Sequence, residues 1–212
     1  MTAGKTVLIL GGGIGGIVAA SRLRRALPRA HRVVLVEQAA THVFQPSLLW
    51  LMLGQRAPRQ ISRAYAALAR RGIEWVQGRV ERIDPARRAA TVDGKELTAD
   101  YLVIALGAEL APDAVPGLAE AGHNLYSLAG AEAIRDARSG LTHGRVAVLV
   151  CAMPFKCPAA PYEAAMLLEW DARRRGVRDR VQIDLYSPEP GPMPVAGAEA
   201  SAQVRAMVEQ KG

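Results

Sequence analysis

The sequence predicts an α/β protein in which parallel strands alternate with helices, because it contains one strand–helix–strand pattern near its N-terminus and another in its C-terminal third. Residues 5–37 contain the first pattern, with a glycine-rich turn between the strand and the helix, and residues 145–186 contain the second. Short strand-like runs lie between the two patterns. We therefore expect a Rossmann-like dinucleotide-binding domain over residues 1–111 and a second, incomplete Rossmann-like domain over residues 112–212.

Each predicted element follows from the spacing of its apolar residues and from the glycines and prolines at its ends. The Asp93-Gly94 dipeptide predicts a tight hairpin between two strands. A helix over residues 13–27 should stop near Pro28, which cannot continue a helix. Strands are predicted at residues 5–10, 32–37, 73–76, 80–83, 89–92, 101–106, 145–150 and 181–186, and further helices at about 129–138, 161–175 and near the C-terminus.

The stretch between the second strand and Gly72 is less regular in its pattern. Residues 39–50 are too apolar for a simple connection, and we expect them to form a loop that covers a ligand. A helix is predicted at about residues 60–71, where Gly72 would end it.

The composition indicates a globular protein. Its 212 residues suffice to bury a core, and no apolar run approaches the roughly 20 residues of a membrane-spanning helix. The net charge of +7 comes largely from arginines on predicted helix faces without interleaved aromatic residues, so we expect no nucleic-acid partner. The two cysteines lack the spacing and the histidine partners of a zinc site, so no metal is expected. Without a cleavable signal pattern, the expected location is cytoplasmic.

The glycines after the first strand form the fingerprint Gly11-x-Gly13-x-x-Gly16, with Gly12 inside it. In this motif the first glycine allows a tight turn, the second lets the backbone approach a pyrophosphate, and the third lets the helix pack on the strand. Glu37 ends the next strand, about 20 residues past the motif, where its carboxylate can accept hydrogen bonds from a ribose. These features predict a dinucleotide site without a ribose 2′-phosphate. FAD and NAD share the fingerprint, so both remain open on these residues alone.

The corresponding turn of the second domain, after strand 145–150, carries cysteines and prolines where an NAD site would need glycines. Cys157 stands just before the helix that Pro161 opens. The positive end of that helix and the neighbouring Lys156 favour the thiolate, so Cys157 is the candidate catalytic nucleophile. Cys151 closes an apolar strand and fits a buried, inert cysteine better.

Residues 5–37, 46–47 and 100–107 resemble the FAD-binding half of flavoproteins that contain two dinucleotide-binding domains. The resemblance implies that Ala105 and Gly107 belong to a turn beside the flavin, and it favours FAD over NAD as the cofactor. The expected FAD-binding residues are Gly11, Gly12, Gly13, Gly16, Glu37, Pro46, Ala105 and Gly107.

The run Lys156-Cys157-Pro158-Ala-Ala-Pro161-Tyr-Glu163 and the proline-rich run 188–194 resemble sulfide:quinone oxidoreductases and the flavoprotein subunit of flavocytochrome c sulfide dehydrogenase. The resemblance implies FAD-dependent oxidation of sulfide or another small sulfur compound, with sulfur carried on Cys157 and a quinone or cytochrome as acceptor. It also implies that the family's partner cysteine and its membrane-docking helices lie in a C-terminal part that this sequence lacks. A peripheral position on the inner face of a membrane is then the alternative location.

Glu163, in the first turn of the helix after Cys157, is the candidate for relaying a proton, although acids at this position commonly only complement the helix dipole. Two other functions stay open. An NAD(P)H-dependent flavoprotein reductase is disfavoured by the missing glycines of the second domain. A noncatalytic FAD-binding module is consistent with an incomplete second domain.

Overall fold

The computed structural model of the protein describes residues 4–212, which divide into two compact units. The first unit comprises residues 4–43 and 62–110, and the second comprises residues 44–61 and 111–212. The units differ from the domains expected from the sequence in the placement of residues 44–61. The functional domain limits stay a prediction.

Eleven strands and seven α-helices lie within the described residues. The strands are β1 (Thr6–Leu10), β2 (Arg32–Glu37), β3 (Thr41–Val43), β4 (Ser62–Ala64), β5 (Glu74–Gln77), β6 (Val80–Asp84), β7 (Ala89–Val92), β8 (Lys95–Thr98), β9 (Tyr101–Ile104), β10 (Gly144–Leu149) and β11 (Val181–Tyr186). The helices are α1 (Ile14–Ala26), α2 (Leu48–Met52), α3 (Pro58–Ile61), α4 (Leu118–Ala121), α5 (Leu128–Gly140), α6 (Ala160–Arg174) and α7 (Ala198–Glu209). Short 3₁₀ segments are Gln45–Ser47, Tyr65–Arg71, Pro112–Ala114, Arg178–Arg180 and Pro194–Ala196. Within residues 4–212, no helix has both the length and the apolar character needed to cross a membrane.

The first unit is built on a parallel sheet with the strand order β5-β2-β1-β9. Side chains of β1 alternate between the two faces of the sheet: Val7 and Ile9 join the core beneath α1, and Leu8 and Leu10 join the core on the other face. The antiparallel sheet β6-β7-β8 covers that second face, where Val92 of β7 is buried. The α/β class expected from the sequence is confirmed.

The hairpin expected at Asp93-Gly94 is confirmed. Strands β7 and β8 pair antiparallel, with Val92 opposite Lys95, so Asp93 and Gly94 form the tight turn between the two strands. Both have positive φ angles, 45° at Asp93 and 75° at Gly94, as a type I′ turn requires.

The second unit contains the second strand–helix–strand pattern. Strands β10 and β11 pair in parallel, from Gly144 opposite Val181 to Leu149 opposite Tyr186, and α6 is the crossover helix between them. A buried cluster joins Ala172 of α6 to Val181 of β11. Helix α2 packs against α5 in the same unit.

The expectation of one helix over residues 60–71 is wrong, because β4 and a 3₁₀ segment follow α3. Strand β4 pairs with β3, with Ala64 opposite Thr41. The backbone N–H of Tyr65 also donates to the carbonyl of Ala40 at 3.0 Å. These pairings with a distant segment override the local helix pattern.

The expectation of an irregular loop at residues 39–50 is also wrong, because β3, a 3₁₀ segment and the start of α2 lie there. Leu48 and Leu49 are buried, and their helix packs against α5. The apolar character of this stretch therefore has a packing explanation, and its predicted role in covering a ligand remains a prediction.

Candidate functional site

The expected cofactor-binding residues of the first unit gather at the carboxyl edge of its parallel sheet. Leu10 of β1 lies opposite Val36 of β2 and Ile104 of β9 in the strand register. Gly11, Glu37 and Ala105 each follow one of these aligned residues, so the three lie at the same edge. Ligands of open α/β sheets bind at this edge of the strands.

The glycines of the fingerprint differ in what surrounds them. Gly11 has a φ angle of +99°, and a side chain there would collide with the carbonyl oxygen of Ala105. A side chain at Gly16 would collide with the carbonyl oxygen of Gly11, so α1 can pack this closely on β1 only through a glycine. At Gly13, the N-cap residue of α1, an added Cβ would have no atom of the described residues within 4 Å. The open side of this helix N-terminus fits a pyrophosphate.

Gly12 is held by two side chains that come from other elements. Its N–H donates to Oε2 of Glu37 at 2.7 Å, and its carbonyl oxygen accepts from the hydroxyl of Tyr65 at 2.5 Å. Tyr65 is 4% exposed, and its burial raises its pKa to about 12, with the charge of Glu37 as a smaller cause. Tyr65 is not among the site residues expected from the sequence, because it lies inside the segment predicted to be a helix.

Glu37 is half-buried and already engaged by the backbone. Its Oε1 accepts from the N–H of Ala39 at 3.0 Å, while Oε2 accepts from Gly12. A carboxylate has about four lone-pair sites, so two remain for the hydroxyls of a ribose. The two backbone contacts fix the orientation of the carboxylate at the sheet edge.

The segment expected to run beside the flavin begins where β9 ends, at Ile104 and not at the expected residue 106. Ala105 continues the contact with β1, since its N–H donates to the carbonyl of Leu10 at 2.8 Å. Gly107 then turns the chain with a φ angle of +75°, and an added Cβ there would have nothing within 4 Å. The segment therefore lies against the glycine loop at Ala105 and leaves open space at Gly107.

Pro46 belongs to the second unit, which contains residues 44–61. It is exposed in the 3₁₀ segment Gln45–Ser47 that leads into α2. Its assignment to FAD binding stays a proposal.

Cys157 lies in the turn between β10 and α6, at the carboxyl edge of the second parallel pair. Its thiol is free and exposed, and its φ angle of 49° lies in the left-handed region that residues other than glycine rarely adopt. The carbonyl of Cys157 accepts from the N–H of Ala160 at 3.0 Å, which ties the turn to the first residue of α6. Since α6 starts at Ala160, Pro161 is its second residue and not its first as expected.

The backbone next to the thiol is anchored by Tyr126, which the sequence analysis did not single out. The Tyr126 hydroxyl donates to the carbonyl oxygen of Lys156 at 2.6 Å. Burial, together with a smaller effect of the charge of Cys157, raises the pKa of Tyr126 to about 12. The hydroxyl therefore stays protonated, and available as a donor, throughout the neutral range.

The expectation that Cys151 is buried is wrong, because its thiol is also free and exposed. Strand β10 ends at Leu149, and within residues 4–212 it pairs with β11 alone, in a sheet of two strands. Alternate residues of β10 are therefore exposed, and Cys151 lies beyond the strand in the turn.

Glu163 is exposed in the first turn of α6, as expected. It lines an open cleft of about 600 Å³ together with Trp50, Trp170 and Arg174. Among the described residues, Cys157 does not belong to this lining. The structure thus places the two expected catalytic residues near the start of one helix, and of the two only Glu163 lines this cleft.

Comparisons with known proteins agree with these features. The mitochondrial sulfide:quinone oxidoreductase of Mus musculus is 34% identical over 187 residues, which cover 84% of this chain and 40% of that protein. The sulfide-quinone reductase of Aquifex aeolicus is 32% identical over 208 residues, which cover 94% of this chain and 47% of that protein. The chain thus spans less than half the length of both relatives.

The X-ray structure of the sulfide:quinone oxidoreductase from Aquifex aeolicus matches the fold with a TM-score of 0.83 at 27% identity. This match covers 98% of this chain and 49% of that one. The resemblance to sulfide:quinone oxidoreductases expected from the sequence is confirmed.

Residues 5–153 match the family described as pyridine nucleotide-disulphide oxidoreductase, which is most of the chain and includes the whole glycine fingerprint. The chain therefore belongs to the pyridine nucleotide-disulphide oxidoreductase family, whose members bind FAD, the cofactor expected from the sequence.

Proposed function

We propose that this chain carries the FAD-binding loop and the reactive thiol of an oxidoreductase that oxidises sulfide and passes the electrons to a quinone. The observation that carries the proposal is Cys157, an exposed thiol in a left-handed backbone conformation. Such a conformation costs free energy in a cysteine, and backbone strain of this kind clusters at functional sites. The names of the Mus musculus and Aquifex aeolicus relatives support sulfide as the substrate and quinone as the acceptor.

In this proposal, the first unit holds FAD. The N–H groups at the start of α1 and the open side of Gly13 would bind the pyrophosphate, and the free lone pairs of Glu37 would accept from a ribose. Ala105 and Gly107 would lie beside the flavin ring, and Pro46 would complete the set. Bound FAD would supply an acceptor for two electrons.

The role proposed for Cys157 is to attack or carry sulfur. Joining the Cys157 thiolate to hydrosulfide would form one S–S bond, giving a persulfide anion, and would release one proton and two electrons, for which the quinone is the final acceptor. The thiolate is the reacting form of a cysteine. Glu163, the acidic residue in the first turn of α6, is the proposed proton acceptor of this segment.

A quinone is an apolar substrate, so the complete enzyme would work at a membrane surface. We therefore propose a peripheral position on the inner face of a membrane, in contact with the cytoplasm. Fractionation of cells in high salt, followed by detection of the protein in the membrane pellet or the supernatant, tests this location.

The function itself is tested with the full-length, FAD-loaded protein under anaerobic conditions. Addition of sulfide should bleach the oxidised flavin within the time of one turnover, and addition of a soluble quinone should restore the colour. NADH should leave the flavin oxidised, because the turn after β10 carries Cys151 and Cys157 where a nicotinamide nucleotide site needs glycines. Bleaching by NADH and not by sulfide would establish the reductase alternative, and no bleaching by either would establish a noncatalytic FAD-binding module.

A further inference from the structure

We propose that Tyr65 is a positioning residue for the dinucleotide site, because it aims the N–H of Gly13 towards the bound pyrophosphate. This inference rests on the proposed FAD site and assigns a role to a side chain that lies outside the glycine fingerprint. Tyr65 follows β4, 53 residues along the chain from Gly12, to whose carbonyl oxygen its hydroxyl donates.

The planarity of the peptide bond links the contact of Tyr65 to the direction of the next N–H group. Gly12 and Gly13 share one peptide group, in which the C=O of Gly12 and the N–H of Gly13 point in opposite directions. The Tyr65 hydroxyl holds that C=O at 2.5 Å, so the N–H of Gly13 must point away from the Tyr65 ring. Glu37 holds the preceding peptide group through the N–H of Gly12 at 2.7 Å. Two consecutive peptide groups of the loop are therefore fixed from outside the loop.

Tyr65 is itself held rigidly, which the proposed role requires. Its ring is 4% exposed and stacks on the ring of Trp75, with a centroid distance of 5.9 Å and an interplanar angle of 27°. The ring of His42 meets it edge-on at 6.1 Å, and the backbone N–H of Tyr65 donates to Ala40. A ring packed in this way keeps its hydroxyl at one place.

The loop is shaped to fit this side chain. A Cβ added to Gly12 would lie 2.6 Å from the Tyr65 ring, whereas a Cβ added to Gly13 would have nothing within 4 Å. The Tyr65 ring thus occupies the space on one side of the loop and leaves the other side open. The N–H of Gly13 belongs to the residue with the open side, where a diphosphate fits.

The test compares the variant Tyr65→Phe with the wild-type protein, using ADP and adenosine as probes that differ in the diphosphate. Phenylalanine keeps the stacked ring and removes the hydroxyl. We expect the dissociation constant for ADP to rise about tenfold, the size of one lost hydrogen bond, and that for adenosine to stay within about twofold. If Tyr65 only supported the fold, the variant would bind ADP and adenosine more weakly by the same factor. The matched control is Tyr101→Phe, which alters an exposed tyrosine of the same unit and should leave both constants unchanged.

A second variant keeps the proposal testable if Tyr65→Phe does not fold. Gly12→Ala pushes the loop away from the Tyr65 ring. Like Tyr65→Phe, it should raise the dissociation constant for ADP more than that for adenosine. An unchanged ratio of the two dissociation constants in either folded variant would overturn the role of Tyr65. Wild-type protein that binds neither FAD nor ADP would overturn the FAD site as well, whereas wild-type protein that binds both but is not reduced by sulfide would overturn only the sulfide-oxidising function.

Discussion

The hydroxyl of Tyr126 donates a hydrogen bond to the carbonyl oxygen of Lys156, 2.6 Å away, and so fixes the peptide group that directly precedes Cys157. The thiol is exposed, but its backbone is anchored to a half-buried side chain from another part of the second unit. A nucleophile held in one orientation reacts faster than one on a mobile loop.

Replacing Tyr126 with phenylalanine should therefore slow sulfide-dependent flavin reduction at saturating sulfide by about tenfold, because the turn loses one hydrogen bond and its fixed orientation. Stopped-flow absorbance of the full-length protein measures this rate. The FAD content and the thermal midpoint should change little. The variant Tyr186→Phe, at an exposed tyrosine of β11, is the control and should react normally. A normal rate in Tyr126→Phe would remove the tyrosine from the positioning of Cys157.

Leucine at Gly13 should prevent FAD binding without unfolding the protein. An added side chain meets nothing within 4 Å, and the φ of −64° and ψ of −174° at this residue suit any amino acid. The dissociation constant for FAD should rise at least about tenfold because the side chain fills the space proposed for the pyrophosphate, while the free energy of unfolding changes by less than about 1 kcal/mol. Flavin fluorescence titration and urea unfolding measure the two quantities.

Alanine at Gly16 is the contrasting variant, because its Cβ would collide with the carbonyl of Gly11. It should lower the free energy of unfolding by about 1–3 kcal/mol, as overpacking does. Equal effects of Gly13→Leu and Gly16→Ala on folding would contradict the different roles assigned to the two glycines.

Alkaline pH should destabilise the protein through two tyrosines. Burial raises the pKa of Tyr65 and that of Tyr126 from 10.0 to about 12 in the folded state. The folded state then holds the proton more tightly than the unfolded state, so the stability contributed is fully present below pH 10 and is lost as the pH rises to about 12. Urea unfolding of the wild type between about pH 9 and pH 12 should show this fall in stability.

The variants Tyr65→Phe and Tyr126→Phe test the assignment of that fall. Each removes one of the two groups, so each should lose less stability over the alkaline range than the wild type does, whatever its stability at neutral pH. Curves that run parallel to the wild type would show that other groups cause the alkaline loss.

Local patterns in the sequence suffice to predict the parallel sheet, α1, the hairpin and the second strand–helix–strand pattern. Glycines, prolines and alternating apolar residues act on their immediate neighbours, and the strand register then brings Gly11, Glu37 and Ala105 to one edge. The sequence could not reveal the pairing of β3 with β4, which replaces the expected helix, because that pairing joins distant segments.

The same limit applies to the site. The contacts of Tyr65 with Gly12 and of Tyr126 with Lys156 join residues 53 and 30 positions apart, and neither tyrosine stands in a recognisable motif. The exposure of Cys151 depends on which elements pack over the turn after β10, and the pattern of a single strand does not specify them.

The central claim is that Cys157 carries sulfur, and the full-length variants Cys157→Ser and Cys151→Ser test it directly. Serine keeps the size of the side chain but replaces an ionisable thiol with a hydroxyl that stays protonated near neutral pH. Both cysteines are exposed, so the two variants should fold and bind FAD alike. Stopped-flow reduction of the bound flavin by sulfide should slow by at least about two orders of magnitude in Cys157→Ser and by less than about threefold in Cys151→Ser. Near-normal reduction in Cys157→Ser would contradict the account.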